Sequence, residues 1–315
     1  MNPRRTTMKN DIYKIFSEDF PSRHFVRIGE NKHISLYIGR DDDARYSFDF
    51  RGNFKPSRIP SSDVIEVEQY KNEEELTLRF SLENSELLEY FCIFCQDLLE
   101  STKAIIDDDT AYKTLRARYF SWRQLFKPDK GKLTETEIMG LIGELLFLQS
   151  RLFPEKGIDK AIESWTGIEK AHKDFSFDDV WYEIKTINFG KESVRISSLE
   201  QLDSDVDGHL AVYTLEKMSP SFNGIKLNDI VTDIISQLET ATQKEMFMDK
   251  LNLYGFDFSP EYDQWVFSLH DFSVYSVAVN AFPRICRNMI PEAVTKVTYE
   301  LLLSEIQDYK EPIEK

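Results

Sequence analysis

Between His172 and Ile187 the chain reads His-Lys-Asp-Phe-Ser-Phe-Asp-Asp-Val-Trp-Tyr-Glu-Ile-Lys-Thr-Ile, a pattern with few ways to fold. Asp174 opens a short aromatic alternating run, Asp178 and Asp179 interrupt it as a turn, and alternation resumes from Val180 to Ile187. This predicts two paired strands. Successive strand side chains point to opposite faces, so Glu183 and Lys185 share one face with Trp181 and Ile187, while Val180, Tyr182 and Ile184 take the other. A carboxylate and an ammonium then lie side by side, with Asp174 on the neighbouring strand. Two carboxylates held together repel unless a cation intervenes. Mg²⁺ suits the set, because it prefers a few carboxylate and carbonyl oxygens plus water and phosphate; the Ile184 carbonyl is a further candidate ligand. Lys185 would position an attacking water or help deprotonate it. Asp and Glu-x-Lys patterns also occur on solvent-facing strands, so the hairpin alone leaves a plain charged strand pair open.

The upstream segment narrows the choice. Thr134-Glu135-Thr136-Glu137 has the spacing of a capping box, with Thr134 as N-cap, and a helix is predicted from it through Leu148. Glu144 falls inside an almost wholly apolar stretch of that helix. An ionised carboxylate there is costly unless it is hydrogen-bonded, paired with an arginine or bound to a metal.

Together these residues resemble the PD-(D/E)xK nuclease superfamily, and the wider chain is similar to a family of bacterial proteins named only for that motif. The resemblance is strongest from Thr134 to Gln201 and extends through Phe282-Pro283-Arg284-Ile285 and Val297-Thr298-Tyr299-Glu300-Leu301. It implies a restriction-endonuclease-like mixed sheet flanked by helices, with Asp174, Glu183 and the helical Glu144 as ligands of Mg²⁺, or of Mn²⁺ in its place, and Lys185 as the catalytic lysine. Gly140 and Gly143 would let helix and sheet approach closely. Lys173 stands where the motif's name has proline, a position that carries no chemistry. The resemblance further implies cleavage of DNA within a bacterial restriction or phage-defence system. An RNase or repair nuclease would share the same core.

Other residues have two readings each. Ser198 and Gln201 have capping-box spacing, and the resemblance also keeps them near the site as phosphate or water contacts. The segment Tyr112–Leu133 gathers Lys113, Arg116, Arg118, Arg123, Lys127, Lys130 and Lys132 among Tyr119, Phe120, Trp122 and Phe126. On a helix Arg116 and Arg123 would share a face, either contacting phosphate or solvating an outer surface. His172 reads as a strand-edge polar residue. The net charge of −16 weighs against nucleic-acid binding, which rewards a positive surface. A non-catalytic DNA- or partner-binding subunit that keeps the nuclease core is therefore the competing class, and an acidic surface suits a basic partner.

Five short alternating segments before Glu83 predict an antiparallel sheet, followed by a packing helix from Ser85 to about Ile106. Asp107-Asp108-Asp109 suggests a boundary between a β-rich domain, residues 1–108, and a nuclease-like domain, residues 109–315. Downstream, Leu227–Leu251 reads as one long amphipathic helix, Gln264–Val279 as strands and Val294–Leu303 as a further alternating run. The expected class is thus mixed α+β or α/β. Cys92 and Cys95 form a CxxC inside an apolar helical run without a second pair, so core packing is the better reading than zinc. No run has the length of a membrane span and the start lacks a secretory apolar region, so a soluble cytoplasmic protein is expected, with a homodimer or partner subunits open.

Overall fold

The computed structural model describes residues 11–17, 20–72, 75–126, 132–167, 172–279 and 281–312. The chain forms two compact units, Met1–Lys132 with Gly255–Pro260, and Leu133–Tyr254 with Glu261–Lys315.

In the first unit the five predicted strands form one antiparallel sheet. They are β1 (Phe25–Ile28), β2 (Ser35–Arg40), β3 (Tyr46–Gly52), β4 (Ile65–Lys71) and β5 (Leu76–Leu82), in the order β1-β2-β3-β5-β4. Period-two patterning puts Leu36, Ile38, Phe48, Phe50, Leu78 and Phe80 on one face, all buried. This unit also holds α1 (Asp11–Ser17), α2 (Leu88–Ser101) and α3 (Asp108–Trp122). Phe80 of the sheet meets Phe94 of α2 edge-on and stacks on Tyr119 of α3, which joins sheet and helices in one core. Cys92 and Cys95 lie buried in α2 as packing residues, and burial pushes both thiols up.

The division falls after Lys132, not at the aspartate run. Asp107 is the N-cap of α3, its carboxylate accepting the Thr110 N–H at 2.9 Å. Asp108 and Asp109 accept the backbone N–H groups of Asn53 and Lys55 at 2.7 and 2.9 Å. What reads as a solvated linker is a helix start tied to the loop after β3.

The second unit begins with α4 (Glu135–Phe147), capped as its sequence predicts: Thr134 and Glu137 satisfy each other's backbone N–H groups. A π-helical turn over Leu148–Leu152 leads to α5 (Phe153–Lys156) and α6 (Ile158–Ser164). The main sheet has the order β10-β9-β7-β6. Its strands are β6 (Phe175–Ser176), β7 (Trp181–Asn188), β9 (Gly208–Met218) and β10 (Val266–Val277), with β7 and β9 parallel and the other pairs antiparallel. The strand after β7, β8 (Ser193–Ile196), leaves this sheet and pairs with β11 (Tyr299–Leu302). Val194, Ile196 and Leu301 of this small sheet share one buried cluster with Trp181, Leu210 and Val212 of the main one.

The long helix read over Leu227–Leu251 is two helices, α7 (Leu227–Gln237) and α8 (Ala241–Tyr254). Leu238 turns extended, and Thr240 and Gln243 form a reciprocal capping box: the Gln243 N–H donates to Thr240 Oγ1 at 3.1 Å and the Thr240 N–H to Gln243 Oε1 at 3.2 Å. Gln264–Val279 holds one strand, β10, bulged between Leu269 and Asp271. The chain is therefore mixed α+β, and no described helix is long and apolar enough to cross a membrane.

Candidate active site

The second unit brings Glu144, Asp174, Glu183 and Lys185 together. Strand β7 carries the last two on one face, as its alternation predicts, and Lys185 Nζ donates to Glu183 Oε1 at 2.7 Å. Opposite them on β9 lie buried Leu210 and Val212, so Glu183, only 1% exposed, is an acid in apolar surroundings. Strand β6 is two residues long, its partners on β7 being Trp181 and Tyr182. Where β6 stops, the Asp174 carboxylate replaces it, Oδ2 accepting the Ile184 N–H at 2.7 Å. The N–H and C=O of one extended strand residue project to the same edge of the strand, so the Ile184 carbonyl also faces the Asp174 side. Asp174 is itself anchored: its carbonyl accepts the N–H groups of Thr166 and Gly167 at 2.9 and 3.1 Å.

Helix α4 supplies Glu144 from the other side of β7. A Cβ at Gly143 would lie 2.1 Å from Thr186 Oγ1, so only glycine lets α4 pack this closely on the strand. Among the described residues Glu144 has neither an arginine partner nor a bond to a backbone amide. Its Oε2 accepts the indole N–H of Trp165 at 2.7 Å. Trp165, which sequence reasoning missed, closes α6 and is fully buried. Its signal was available, because a buried tryptophan N–H needs an acceptor. Helix α8 supports the indole, with Phe247 packed against its ring at 6.0 Å and Lys250 Nζ donating to its carbonyl at 2.6 Å.

All three carboxyls are held above their ordinary range, and burial is the largest cause in each. For Glu144 the charge of Asp174 adds to it, against the Trp165 hydrogen bond. Glu183 is pushed up to about 8, burial and the Asp174 charge outweighing Lys185. Asp174 moves the same way, against Lys185 and the Ile184 N–H. Glu144 and Asp174 are half-buried, so protein displaces part of their hydration. Crowded, desolvated acids of this kind are a common mark of a functional site.

Among the described residues no three His, Cys, Asp or Glu side chains form a ready-made metal cage. The expected set of Glu144, Asp174 and Glu183 is not preassembled, because each carboxylate is committed to a different partner. A hydrated Mg²⁺ fits the residues nonetheless. Glu183 Oε2 is buried with no hydrogen-bond partner, and Mg²⁺ commonly takes one or two carboxylates while keeping several waters. Asp174, Glu183 and the Ile184 carbonyl are the groups that would hold it.

The remaining candidates separate. Lys173 Nζ donates to the carbonyls of Glu200 and Asp203 at 2.5 and 3.2 Å and lies 3.9 Å over the Trp181 ring. This ties the turn carrying Ser198 and Gln201 to the residue next to Asp174. The expected Ser198–Gln201 capping box does not form. Ser198 makes no side-chain cap, and Gln201 Oε1 accepts the Ser197 N–H at 2.7 Å, because the segment is a single 3₁₀ turn. His172 is exposed. Arg116 and Arg123 belong to the first unit. Arg116 lies on α3, 5.3 Å over the Phe120 ring, and Arg123, with α-helical backbone angles, caps that helix and starts a 3₁₀ turn, so the helical spacing expected for the two is kept. Arg118 is buried against Asp97, and Tyr119, Trp122 and Phe126 are core residues. Lys127 and Lys130 lie outside the described residues.

A protein-family model described as "Putative PD-(D/E)XK family member, (DUF4420)" matches residues 6–304. The chain belongs to this PD-(D/E)XK family. No curated protein and no solved structure matches it. The residues read as that motif from the sequence, Asp174, Glu183 and Lys185, lie within the matched span.

Proposed function

We propose that the protein is a Mg²⁺-dependent DNA endonuclease, able to use Mn²⁺, that hydrolyses phosphodiester bonds in a bacterial restriction or phage-defence system in the cytoplasm. The observation that carries this reading is the end of β6, where Asp174 bonds the Ile184 N–H beside the Glu183–Lys185 pair. A bound divalent cation supplies charge neutralisation at the phosphoryl oxygens and makes water a better nucleophile. Asp174 and Glu183 would hold that ion. Lys185, 16% exposed and held by Glu183, orients the attacking water and takes part in its deprotonation. Glu144 forms the acidic wall on the α4 side, fixed by the Trp165 indole. The system assignment rests on family resemblance.

A second reading, a DNA- or partner-binding subunit without catalysis, draws support from the net charge of −16 and from the internal engagement of Arg118. One assay separates the two. Supercoiled plasmid, linear DNA and RNA, the DNAs with and without base modification, are incubated with wild type or Lys185→Ala in Mg²⁺ or Mn²⁺. Metal-dependent cleavage by wild type that falls at least about 10³-fold in the variant is expected. Equal cleavage by both removes this site from the chemistry, and intact nucleic acid in every reaction favours the binding subunit. Cleavage confined to RNA would retain the site and change the substrate.

A further inference from the structure

One polar group at the candidate site has no role in the mechanism above. Tyr254 is the last residue of α8, and Gly255, at φ 99°, turns the chain off the helix in a conformation that favours glycine. The stripe Gln243, Phe247, Lys250 and Tyr254 runs down one side of α8 at spacings of four, three and four. Gln243 Nε2 donates to Asp159 Oδ1 at 3.0 Å, and Phe247 and Lys250 hold Trp165. The stripe is thereby fixed against α6 and against Trp165, whose indole holds Glu144.

Tyr254 Oη lies over α4. A Cβ on Gly140 would be 3.4 Å from it, and the hydroxyl donates to the Glu137 carbonyl at 3.3 Å, a long bond. Glu137, Gly140 and Glu144 follow one another at helical spacings of three and four and so share a face of α4. Helical side chains lean toward the N-terminus, which carries the Glu144 carboxylate toward the turn that Tyr254 covers. Burial, followed by the charges of Glu144 and Asp174, holds the phenol well above its ordinary range, so it remains a neutral O–H donor. The residue is half-buried and retains contact with solvent.

We infer that Tyr254 contacts the substrate, its hydroxyl donating a hydrogen bond to a non-bridging oxygen of the scissile phosphodiester. The assignment rests on the nuclease reading. An acidic wall repels a phosphodiester, and a neutral donor on a braced helix end meets the developing negative charge without adding more. The weak bond to Glu137 is given up in exchange for a charge-assisted one.

Tyr254→Phe removes only the hydroxyl. Single-turnover and steady-state cleavage by wild type, Tyr254→Phe and Lys185→Ala are compared, together with thermal midpoint, Mn²⁺ affinity by calorimetry and DNA affinity in the Lys185→Ala background without metal. The expected result is a kcat lowered by about 10- to 100-fold, with KM and DNA affinity within about 3-fold and Mn²⁺ affinity and midpoint unchanged. Cleavage within about 2-fold of wild type overturns the assignment while leaving the nuclease reading intact. A loss of kcat accompanied by weaker Mn²⁺ binding or a lower midpoint overturns it in favour of a structural role. A wild type that cleaves nothing overturns the nuclease reading, and the assignment with it.

Discussion

The two units bury acidic side chains in opposite ways. In the first, buried Asp49 receives two hydrogen bonds from Arg79, at 2.7 and 2.9 Å, and a third from Arg51. Asp97 on α2 receives Arg118 Nε at 2.7 Å and the Trp122 indole at 2.8 Å. In the second unit three carboxyls crowd around one strand with a single lysine bonded to one of them. A buried acid that serves architecture comes with its counter-charge, because desolvation otherwise outweighs what the fold gains. Acids gathered without enough counter-charge lower stability, and their retention points to chemistry.

The contrast breaks most directly at matched substitutions. Asp97→Asn strips the Arg118 ion pair, whose side chains are 4% and 3% exposed, and is expected to cost about 3–5 kcal/mol in urea unfolding. Asp174→Asn keeps an oxygen for the Ile184 N–H and relieves repulsion, so it leaves stability unchanged or raised at neutral pH while abolishing cleavage. If Asp174→Asn destabilised the protein as much as Asp97→Asn, the distinction between the two kinds of burial would be lost.

A pH series sharpens the same comparison. Folded Glu183 keeps its proton to about 8, whereas the unfolded chain releases it near 4.5, so the folded state binds more protons between those values. The stability of the metal-free protein therefore falls as pH rises through that window. Lys173, lowered to about 8 from 10.5 chiefly by burial, acts in the opposite sense: the folded state binds fewer protons between these values and stability climbs. Thermal midpoints are expected to pass through a minimum near pH 8, and Glu183→Gln to flatten the acid-side slope. A Glu183→Gln profile parallel to wild type would show that this carboxyl is not the one held protonated. The smallest effect lies outside the cluster. Thr240→Ala removes half of the box that starts α8 and is expected to cost about 1 kcal/mol, read from the unfolding midpoint.

Much of the candidate site was legible in the sequence. Period two placed Glu183 and Lys185 on one face, and the Thr134–Glu137 box located the start of the helix that bears Glu144. These are local rules, acting over a few residues. The break between α7 and α8 was equally local, in Thr240 and Gln243, but the continuous amphipathic pattern across it hid the cap. The basic aromatic stretch misled because composition does not tell which way a side chain points. Arg118, Tyr119 and Trp122 face the interior of the first unit, where Asp97 and Phe94 meet them.

By itself, then, the sequence determined the five strand segments of the first sheet, the β6–β7 pair, the capped helix, and the residue types of a metal-and-lysine site, because backbone periodicity and capping depend on neighbours a few positions away. Only the tertiary structure decided that β8 leaves β7 for β11, that Trp165 holds Glu144, and that α8 brings Tyr254 over α4. Those choices set partners dozens of residues apart. They depend on which buried polar group finds its complement and which glycine leaves room for a neighbour, and no local pattern encodes that.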